Sequence, residues 1–582
     1  DYIENYRDVE FIRNFNLNDS MMNASEHYAG MSLLFDYKNQ GKIGWTSNVF
    51  FIPEFSWNAI RNQFYTDFKI QNYTIKADVS LLTSESKTHE TIFLKHKEMF
   101  SRTFTFLEIG IKEEMEFNQL TFLSNDSISP QSYAFNEISL FLKQKDSINN
   151  GFNYLLEYSN RMDKKHLQKT SGLSSIAHNV TLGLHLTKFT NHTLGFTLAY
   201  RNLSNKDSST ITISPENMLL ANVDYQGRFL KGAIHWGLFY ELGSGMEQKN
   251  AYSYLKVADG QGVYQWIDYN KNGIEELDEF EVAVYKDKAN YIRIWLLSNE
   301  FIKTYNNRFT QSLALRPAML WMNSKGFRKF LSRFANITTY QTQVKQIRTK
   351  FTSIINPFYN NINDTMLVTS TTHFRNAFSF NQSSSVWGID IIYTNSKNKV
   401  LTVNGFETTN REEWQFTARW SIFNDFIVKI NYYNSFHIVQ SEYFNNKNFR
   451  IKTNHIEPVI SYQFDNKLSI NLLYAYIEKI NRIGIERLFT NKASTEINYR
   501  FPKRGILYAQ LIYYHIVFKG LTASSIAYEM MESLQPGHNG VFSLNYQTNI
   551  FKNLQINLMY EGRVSPKIPM IHTGGIEIRA FF

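Results

Sequence analysis

The chain ends in Ile571-His-Thr-Gly-Gly-Ile-Glu-Ile-Arg-Ala-Phe-Phe582, and this stretch decides the fold. Successive side chains of a β-strand point to opposite faces. At that period one face takes Ile576, Ile578, Ala580 and Phe582, and the other takes Glu577, Arg579 and Phe581. An apolar face opposite a charged one, closed by an aromatic residue, is typical of the last strand of an outer-membrane β-barrel, whose apolar side chains contact lipid. The ending therefore predicts an all-β, membrane-spanning barrel.

The composition is consistent with strands that cross a membrane. Aromatic residues make up 16% of the 582 residues, yet the mean hydropathy is −0.35. No apolar run reaches the roughly 18 residues that a transmembrane helix needs. Because lipid cannot hydrogen-bond an open sheet edge, strands that cross it must close into a barrel. The alternative is a large soluble β protein with many aromatic residues in its core.

Charge and cysteine content narrow the environment and the partners. The net charge of +9 is spread along the chain, which fits contact with outer-membrane lipid and lipopolysaccharide. No basic stripe or recognition motif accompanies it, so nucleic acid is not an expected partner. The absence of Cys excludes disulfides and Cys-based zinc sites. Residues Asp1–Arg7 lack the apolar stretch of a signal peptide, so we expect a processed chain or a piece of a longer one.

A recurring turn pattern organises the chain. A strand ends in an aromatic residue, passes through a short Asn-, Asp- or Lys-containing turn, and restarts with an apolar residue. The pattern occurs at Phe189–Leu194, Phe423–Phe426, Phe464–Leu468, Phe501–Ile506 and Phe551–Leu554. Its spacing in the second half, 37 to 50 residues, is the length of one up-and-down hairpin with one longer loop. We place the short turns on the periplasmic side and the long loops outside the cell.

Hairpins of this length predict an antiparallel up-and-down barrel of about 24 strands, within a range of about 22 to 28. The first strand is expected at Tyr28–Tyr37, so residues 1–27 form a periplasmic or lumenal lead-in and residues 28–582 form the barrel. The last strand should pair with the first. Long loops are expected around 245–290, 323–364 and 519–540. A barrel this wide needs loops, the lead-in or a partner to fill its lumen.

The segment Ser525–Gly537 predicts a short helix within one of these loops. Ser525 could cap its start, and Pro536 with Gly537 would end it. Packing within the loop is the expected role, and contact with a partner is the alternative.

One motif carries metal chemistry. Asp268-Tyr-Asn-Lys-Asn-Gly-Ile-Glu-Glu-Leu-Asp-Glu279 matches the twelve-residue calcium loop at every specified position. The expected ligands are Asp268, Asn270, Asn272, the Ile274 carbonyl, Glu276 (through water) and Glu279. Calcium prefers six to eight such oxygen ligands, and Gly273 permits the sharp turn.

The motif departs from a paired EF-hand in two ways. Position eight is Glu275 rather than an apolar residue, and the flanks Val263–Ile267 and Phe280–Tyr285 read as strands. We therefore expect an isolated structural Ca²⁺ loop, in an insertion near 260–285, with an affinity of about 10⁻⁴–10⁻³ M. The alternative is an Asn- and Gly-rich turn without metal.

Motifs for other chemistry are absent. The sequence has no G-x-S-x-G, no H-E-x-x-H and no P-loop, and its 14 His are scattered. We expect a non-enzymatic protein. An outer-membrane hydrolase remains open, because strand side chains can build a site without a local motif.

Three stretches carry a family resemblance. They are Asp1–Leu17, Gly260–Glu281, and Ala527–Asn539 together with the ending Tyr560–Phe582. These stretches resemble the C-terminal half of large, mostly uncharacterised outer-membrane proteins of the Bacteroidetes, although Phe15 stands where members often have Trp. The resemblance implies an outer-membrane barrel preceded in the precursor by further periplasmic or surface domains. It implies no activity.

Three functions agree with these expectations. The favoured one is a barrel in the outer membrane of a Gram-negative bacterium that takes part in transport or envelope assembly, such as protein secretion or translocation. It would act in a complex with other envelope proteins and carry a calcium-stabilised surface loop. The first alternative is a surface adhesin or structural protein with a barrel anchor. The second is the outer-membrane hydrolase.

Overall fold

The protein is described by a computed structural model. The described residues are 27–37, 40–145, 151–167, 170–206, 216–248, 251–296, 301–347, 355–356, 358, 367–402, 405–423, 425–442, 444–465, 467–502, 505–551 and 554–580. Residues 1–26 of the predicted lead-in and the terminal Phe581 and Phe582 lie outside this set.

Strands dominate the described chain. In order they are β1 His27–Tyr37, β2 Gly41–Ile52, β3 Trp57–Ile70, β4 Tyr73–Glu85, β5 His89–Thr103, β6 Leu107–Phe122, β7 Ser127–Ile128, β8 Tyr133–Gln144, β9 Phe152–Leu167, β10 Thr170–Phe189, β11 His192–Asn205, β12 Glu216–Phe229, β13 Ile234–Gln248, β14 Ala251–Lys256, β15 Tyr264–Trp266, β16 Phe280–Val282, β17 Tyr291–Leu296, β18 Phe301–Leu315, β19 Phe334–Ile347, β20 Leu367–Phe380, β21 Trp387–Thr402, β22 Gly405–Phe423, β23 Phe426–Ser441, β24 Phe449–Phe464, β25 Leu468–Asn481, β26 Arg487–Phe501, β27 Gly505–Lys519, β28 Gly537–Phe551, β29 Leu554–Ser565 and β30 Ile568–Ala580.

Helices are few and short. They are α1 Ala318–Trp321, α2 Phe327–Leu331 and α3 Ser525–Met531, besides single turns of 3₁₀-helix. None of the helices in the described part of the chain is long and apolar enough to span a membrane.

Among the described residues, the large sheet has 26 strands, and β14–β17 form a second sheet of four. Its ladders are antiparallel and join strands that follow one another along the chain, from β1–β2 to β10–β11 and from β18–β19 to β29–β30, with β6 also pairing β8. A strand at the predicted Tyr28–Tyr37 is confirmed as β1. The expected number of about 24 was too low, although 26 lies within the expected range of about 22 to 28. In the first half, β1 to β6 occupy only residues 27–122.

The chain divides into two compact units. Unit 1 comprises 1–225 with 241–243, and unit 2 comprises 226–240 with 244–582. In unit 1, cross-strand partners align an exposed apolar row, namely Ile111, Leu140, Tyr158, Val180 and Tyr200. The adjacent row on the opposite face is polar and consists of Lys112, Ser139, Ser159, Asn179 and Arg201. The sheet thus has an apolar face and a polar face, as residue alternation requires.

Unit 2 has the same two faces. One row across β24–β30 is polar throughout, with Ser461, Asn471, Glu496, Gln510, Ser543, Glu561 and Thr573. The neighbouring row carries Ile460, Leu472, Leu511 and Phe542 on the apolar face. Leu472 and Leu511 are 50% and 60% exposed, so this apolar face is not a buried core. In the part of the chain that the structure describes, buried apolar residues form local clusters, such as Phe50 with Trp57 in unit 1.

Connections alternate between the two ends of the strands. The predicted aromatic strand ends are confirmed at Phe189, Phe423, Phe464, Phe501 and Phe551. These turns define the short-turn end, and the opposite end is the long-loop end. The expected long loop at 323–364 was wrong, because a full strand of the sheet, β19, lies in the middle of this range. Residues 316–333 therefore lie at the short-turn end. Closure of the sheet through its first and last strands stays a prediction.

Candidate functional site: an insertion on the polar face

The connection between β13 and β18 holds a small folded insertion, residues 251–296. Its four strands pair antiparallel, with β14 on β17 and β15 on β16. Aromatic rings fill its interior: Tyr254 stacks on Phe280 at 4.0 Å between ring centroids, and Phe280 meets Tyr291 edge-on at 5.0 Å. Phe280 and Tyr291 are buried. The insertion thus has a core of its own.

The predicted calcium loop joins β15 to β16, which confirms that its flanks are strands rather than helices. Asp268 Oδ1 accepts from the Asn272 backbone N–H at 3.1 Å, and Asp268 Oδ2 accepts from Gly273 N–H at 2.9 Å. Asn270 Oδ1 also accepts from Asn272 N–H at 2.9 Å. Asn272 Oδ1 accepts from Ile274 N–H at 2.7 Å. The first three ligand side chains are therefore folded inward by the loop backbone.

The two predicted glutamate ligands differ in their surroundings. Glu276 accepts from Asn270 Nδ2 at 2.6 Å. Glu279 is 2% exposed, and its oxygens accept from Trp266 Nε1 at 2.8 Å and from Tyr269 N–H at 3.1 Å. Each carboxylate oxygen keeps a further lone pair for a cation. Ile274 is 62% exposed at the tip of the loop.

The described residues contain no group of three or more His, Cys, Asp or Glu side chains placed to hold a metal ion. Three of the six predicted calcium ligands are the carboxylates of Asp268, Glu276 and Glu279, and the other three are the amide oxygens of Asn270 and Asn272 and the Ile274 carbonyl. Calcium at this loop stays a prediction.

Glu275, the unexpected residue at position eight, has a partner within the insertion. Tyr291 Oη donates to Glu275 Oε1 at 2.5 Å. Burial, reinforced by this carboxylate, raises the pKa of Tyr291 to about 12. Position eight therefore anchors the loop to β17 instead of pairing with a second calcium loop.

Arg563 of β29 fastens the insertion to the polar face of unit 2. Its guanidinium lies 3.6 Å from the centroid of the Tyr285 ring and donates to Asp287 Oδ2 at 3.1 Å. The Arg563 side chain is 9% exposed. A planar guanidinium suits both contacts, since it can stack on a ring and bond a carboxylate. Burial raises the pKa of Tyr285 to about 12.

A second attachment comes from the loop between β23 and β24. Lys447 Nζ donates to the Phe280 carbonyl at 3.1 Å and lies 3.5 Å from Glu281 Oε1. Asn446 Nδ2 donates to Asp278 Oδ2 at 2.9 Å. Burial raises the pKa of Glu281, and the Lys447 ammonium opposes that shift.

Helix α3 provides the third attachment. Tyr528 Oη donates to the Val282 carbonyl at 2.8 Å and accepts from the Val284 N–H at 3.2 Å. The buried side of the helix joins a hydrophobic cluster with the polar-face strands, made up of Phe449, Ile451, Leu488, Ile516, Ala527, Met530, Met531 and Leu534. The helix therefore has a packing role, but it packs on the polar-face strands and the insertion and not only within its own loop.

The predicted cap of α3 was wrong by one residue. Ser524, not Ser525, accepts from Ala527 N–H, at 3.1 Å. Ser525 Oγ instead donates to the Asn446 carbonyl at 3.3 Å. The helix ends before Pro536, because Glu532 takes the left-handed conformation at φ 54°.

Charged side chains line the space between these elements. A cavity of ≈ 600 Å³ lies between the insertion, α3 and β22–β26. Its wall includes Arg411, Lys479, Lys492, Glu413 and Glu529. A second cavity, of ≈ 800 Å³, lies between residues 259–261 and 286–287 of the insertion and β27–β30.

The smaller cavity bears on the hydrolase alternative. His437 Nδ1 lies 3.2 Å from Glu529 Oε1, and this contact lowers the pKa of the Glu529 carboxyl. Ser435 lines the same cavity. Within the described chain, no hydrogen bond joins Ser435 to His437, and the hydrolase alternative stays untested.

Sequence reasoning missed Arg563, Lys447 and Tyr528 as residues of this site. Their partners lie far away in sequence, with Arg563 and Asp287 separated by 276 positions. No local signal marks such pairs. The even alternation of β29 does place Arg563 on the polar face, beside Glu561.

Comparisons with known proteins find similarity only among solved structures. No protein-family model matches the chain, and no curated protein matches it. The siderophore receptor PirA from Pseudomonas aeruginosa is 8% identical with a TM-score of 0.29, covering 86% of this chain and 78% of that one. The copper transporter OprC is 8% identical with a TM-score of 0.32, covering 93% and 75%. A loop-deletion form of OmpT, an outer membrane protein of Vibrio cholerae, is 10% identical with a TM-score of 0.25, covering 68% and 98%. At this level of similarity these proteins give no information on ligand or activity.

Proposed function

We propose that the chain is an integral β-barrel of the outer membrane of a Gram-negative bacterium. In this proposal it is a non-enzymatic component of transport or envelope assembly, and its insertion fills the lumen. The observation that carries the proposal is the pair of faces on the large sheet. Apolar rows such as Ile111, Leu140 and Tyr158 are exposed, while the rows opposite them are polar.

Lipid is the solvent that fits this distribution. Soluble proteins rarely expose contiguous apolar patches larger than a few hundred Å². Here the apolar face runs across strand after strand in both units, including Leu472 and Leu511 in unit 2. The soluble alternative would need these side chains in a core. Closure into a barrel follows from the same proposal, since a sheet edge in lipid would leave backbone groups without hydrogen bonds.

The insertion supports a role in controlled passage rather than an open pore. It lies on the polar face of unit 2, which becomes the lumen side of a closed barrel. Arg563, Lys447 and Tyr528 fix it there through side-chain contacts rather than covalent bonds. Such contacts can be released by a partner, so we expect other envelope proteins as partners, with lipopolysaccharide and lipid around the barrel.

Calcium fits this proposal as a clip on the insertion. The inward oxygens of Asp268, Asn270 and Asn272 would hold it, with Glu276 and Glu279 closing the site. Bound calcium would stiffen the exposed tip while Glu279 ties it to Trp266.

Single-channel recording tests the proposal. We expect the full chain in planar bilayers to conduct little, and a variant with residues 251–296 replaced by a Gly/Ser linker to conduct ions. Retained heat-modifiable migration on gels is the control that both forms are folded barrels. Equal conductance of the two forms would contradict a lumen filled by the insertion. If the variant no longer binds to an external surface but conducts like the full chain, the adhesin alternative would be favoured instead.

A further inference from the structure

The connection between β18 and β19, residues 316–333, is basic and apolar at once. Its sequence Arg-Pro-Ala-Met-Leu-Trp-Met-Asn-Ser-Lys-Gly-Phe-Arg-Lys-Phe-Leu-Ser-Arg contains five cationic residues and no Asp or Glu. All five cationic side chains, Arg316, Lys325, Arg328, Lys329 and Arg333, are exposed. This stretch is called the basic connection below.

The apolar side chains of the basic connection also face solvent. Met319, Met322 and Phe327 are 60%, 63% and 72% exposed. Helices α1 and α2, with Gly326 between them at φ 66°, present these side chains. The β12–β13 turn anchors the start of the basic connection, because the Arg316 N–H donates to the Ala233 carbonyl at 2.7 Å. That turn adds exposed Leu230 and Lys231.

The apolar surface of the basic connection continues into the apolar face of the sheet. Phe330 of α2 packs against Phe334 and Phe380, with ring centroids 5.2 and 5.8 Å apart. Phe380 in turn meets Trp387 at 5.5 Å. Trp387 pairs across the ladder with Trp420, and both are exposed. Aromatic residues at the edge of an apolar band are typical of the membrane interface.

We propose that the basic connection is an interfacial clip that docks on a leaflet containing anionic phospholipid headgroups. Its apolar side chains enter the boundary between headgroups and acyl chains, and its cations contact phosphate. Two observations favour anionic lipid as the binding partner. The basic connection carries only positive charges, and its apolar surface is continuous with the apolar face of the sheet. The proposal rests on the proposed insertion of the barrel in a membrane. It places the clip at the short-turn end, in the periplasmic leaflet.

The absence of Cys in the chain allows a clean test. The variant M322C is labelled with an environment-sensitive fluorophore and reconstituted in vesicles of phosphatidylcholine, with or without anionic phosphatidylglycerol. We expect blue-shifted emission, quenched by doxyl-labelled lipid, that increases with phosphatidylglycerol. A cation near an anionic surface contributes a factor of about five. Replacing two of them, R328Q/K329Q, should therefore lower the docked population roughly 25-fold.

K69Q/K467Q is the matched control. These two exposed lysines lie beside other short turns, so their loss should leave the emission unchanged. Emission that is independent of phosphatidylglycerol, or equal in the labelled parent and R328Q/K329Q, would overturn the clip. So would a label that leaves water only when an envelope protein extract is added. Heat-modifiable migration of the same samples reports barrel insertion separately, so a failure of the proposed function is recognised by itself.

Discussion

At the scale of single residues, the insertion is held by side chains that each make two contacts. Arg563 contacts the Tyr285 ring and the Asp287 carboxylate. Glu279 accepts from Trp266 and from the Tyr269 backbone. A buried charge is tolerated when it has hydrogen-bond or charge partners. If one partner is removed, the remaining buried group pays the full desolvation penalty without compensation. The residues with two partners are therefore the sensitive ones.

Glu279→Ala should loosen the insertion even without metal. The substitution leaves two partly buried donors, Trp266 Nε1 and the Tyr269 N–H, without their charged acceptor, which costs about 2–4 kcal/mol of local stability. Hydrogen exchange of peptides from residues 263–285 measures this loss. In the parent, added calcium should increase protection of the loop with a midpoint of about 10⁻⁴–10⁻³ M.

Glu276→Gln provides the comparison for this prediction. Glu276 is only partly buried and bonds the Asn270 amide, so its neutral form should leave the metal-free exchange nearly unchanged while weakening the calcium response. Identical exchange of the parent loop with calcium and with chelator would contradict the calcium site.

The Glu529 carboxylate makes the attachment of α3 to the sheet sensitive to low pH. Its hydrogen bond with His437 lowers the pKa of the Glu529 carboxyl below the ordinary 4.5. A lowered folded pKa means that the carboxylate stabilises the fold above the ordinary value, and that this contribution disappears as the pH falls through the lowered one. Burial raises the pKa of Glu281, and the Glu529 charge adds to that shift, so the effect of Glu281 has the opposite sign and is smaller in the variant.

The expected result is a difference in thermal stability between the parent and Glu529→Gln that is present near neutral pH and vanishes in acid. Thermal unfolding in detergent from about pH 3 to 7 measures it. Because the Glu529 side chain is partly exposed, the difference should be modest. A constant difference across this range would show that the carboxylate is not involved.

At the scale of elements, β16 and α3 attach to the sheet as a pair. Tyr528 bridges the Val282 carbonyl and the Val284 N–H, so a change in the helix should reach the insertion. Neither element is long enough to be stable alone, since most helix stability in proteins comes from packing. The contacts between the two elements supply the stability that their short lengths cannot.

Ser524→Ala should destabilise α3 by about 1 kcal/mol, because the first turn loses its side-chain acceptor. Ser525→Ala is the matched neighbour and should cost less, since its hydroxyl makes only a 3.3 Å bond to the Asn446 carbonyl. Hydrogen exchange of residues 524–534 compares them. Equal effects of the two substitutions would contradict the assigned cap.

At the scale of the whole molecule, the two faces of the sheet assign opposite environments to neighbouring residues. Leu511 lies on the apolar face, and Ser543 lies on the polar face of the adjoining strand. A soluble protein would accept a charge at exposed Leu511 without loss. A barrel in lipid would not, because the charge has to leave water.

Leu511→Arg should therefore destabilise the protein folded in a bilayer by about 2–4 kcal/mol, the cost of an Arg near the midplane of a barrel. Ser543→Arg should cost much less, since the polar face borders a cavity of ≈ 800 Å³. Urea titrations in phospholipid vesicles measure both. A harmless Leu511→Arg would contradict a lipid-facing sheet.

Local pattern made much of this fold predictable. Residue alternation predicted β1, and the short turns predicted the ends of β10, β22, β24, β26 and β28, because both signals act between near neighbours. The strand number was underestimated where hairpins shorten, and the connection at 323–364 was misassigned because β19 has no aromatic turn before it. The calcium loop could be located, since its ligands lie within twelve residues of one another.

The sequence by itself determined the all-β class, the two faces of each strand and the position of the calcium motif. Each of these depends on the side-chain period of two or on spacing within one loop. Only the tertiary structure decided that the insertion packs on the polar face through Arg563, Lys447 and Tyr528, and that α3 supports it. Those contacts join residues that are 167 to 276 positions apart, and they form only because the sheet brings distant strands side by side.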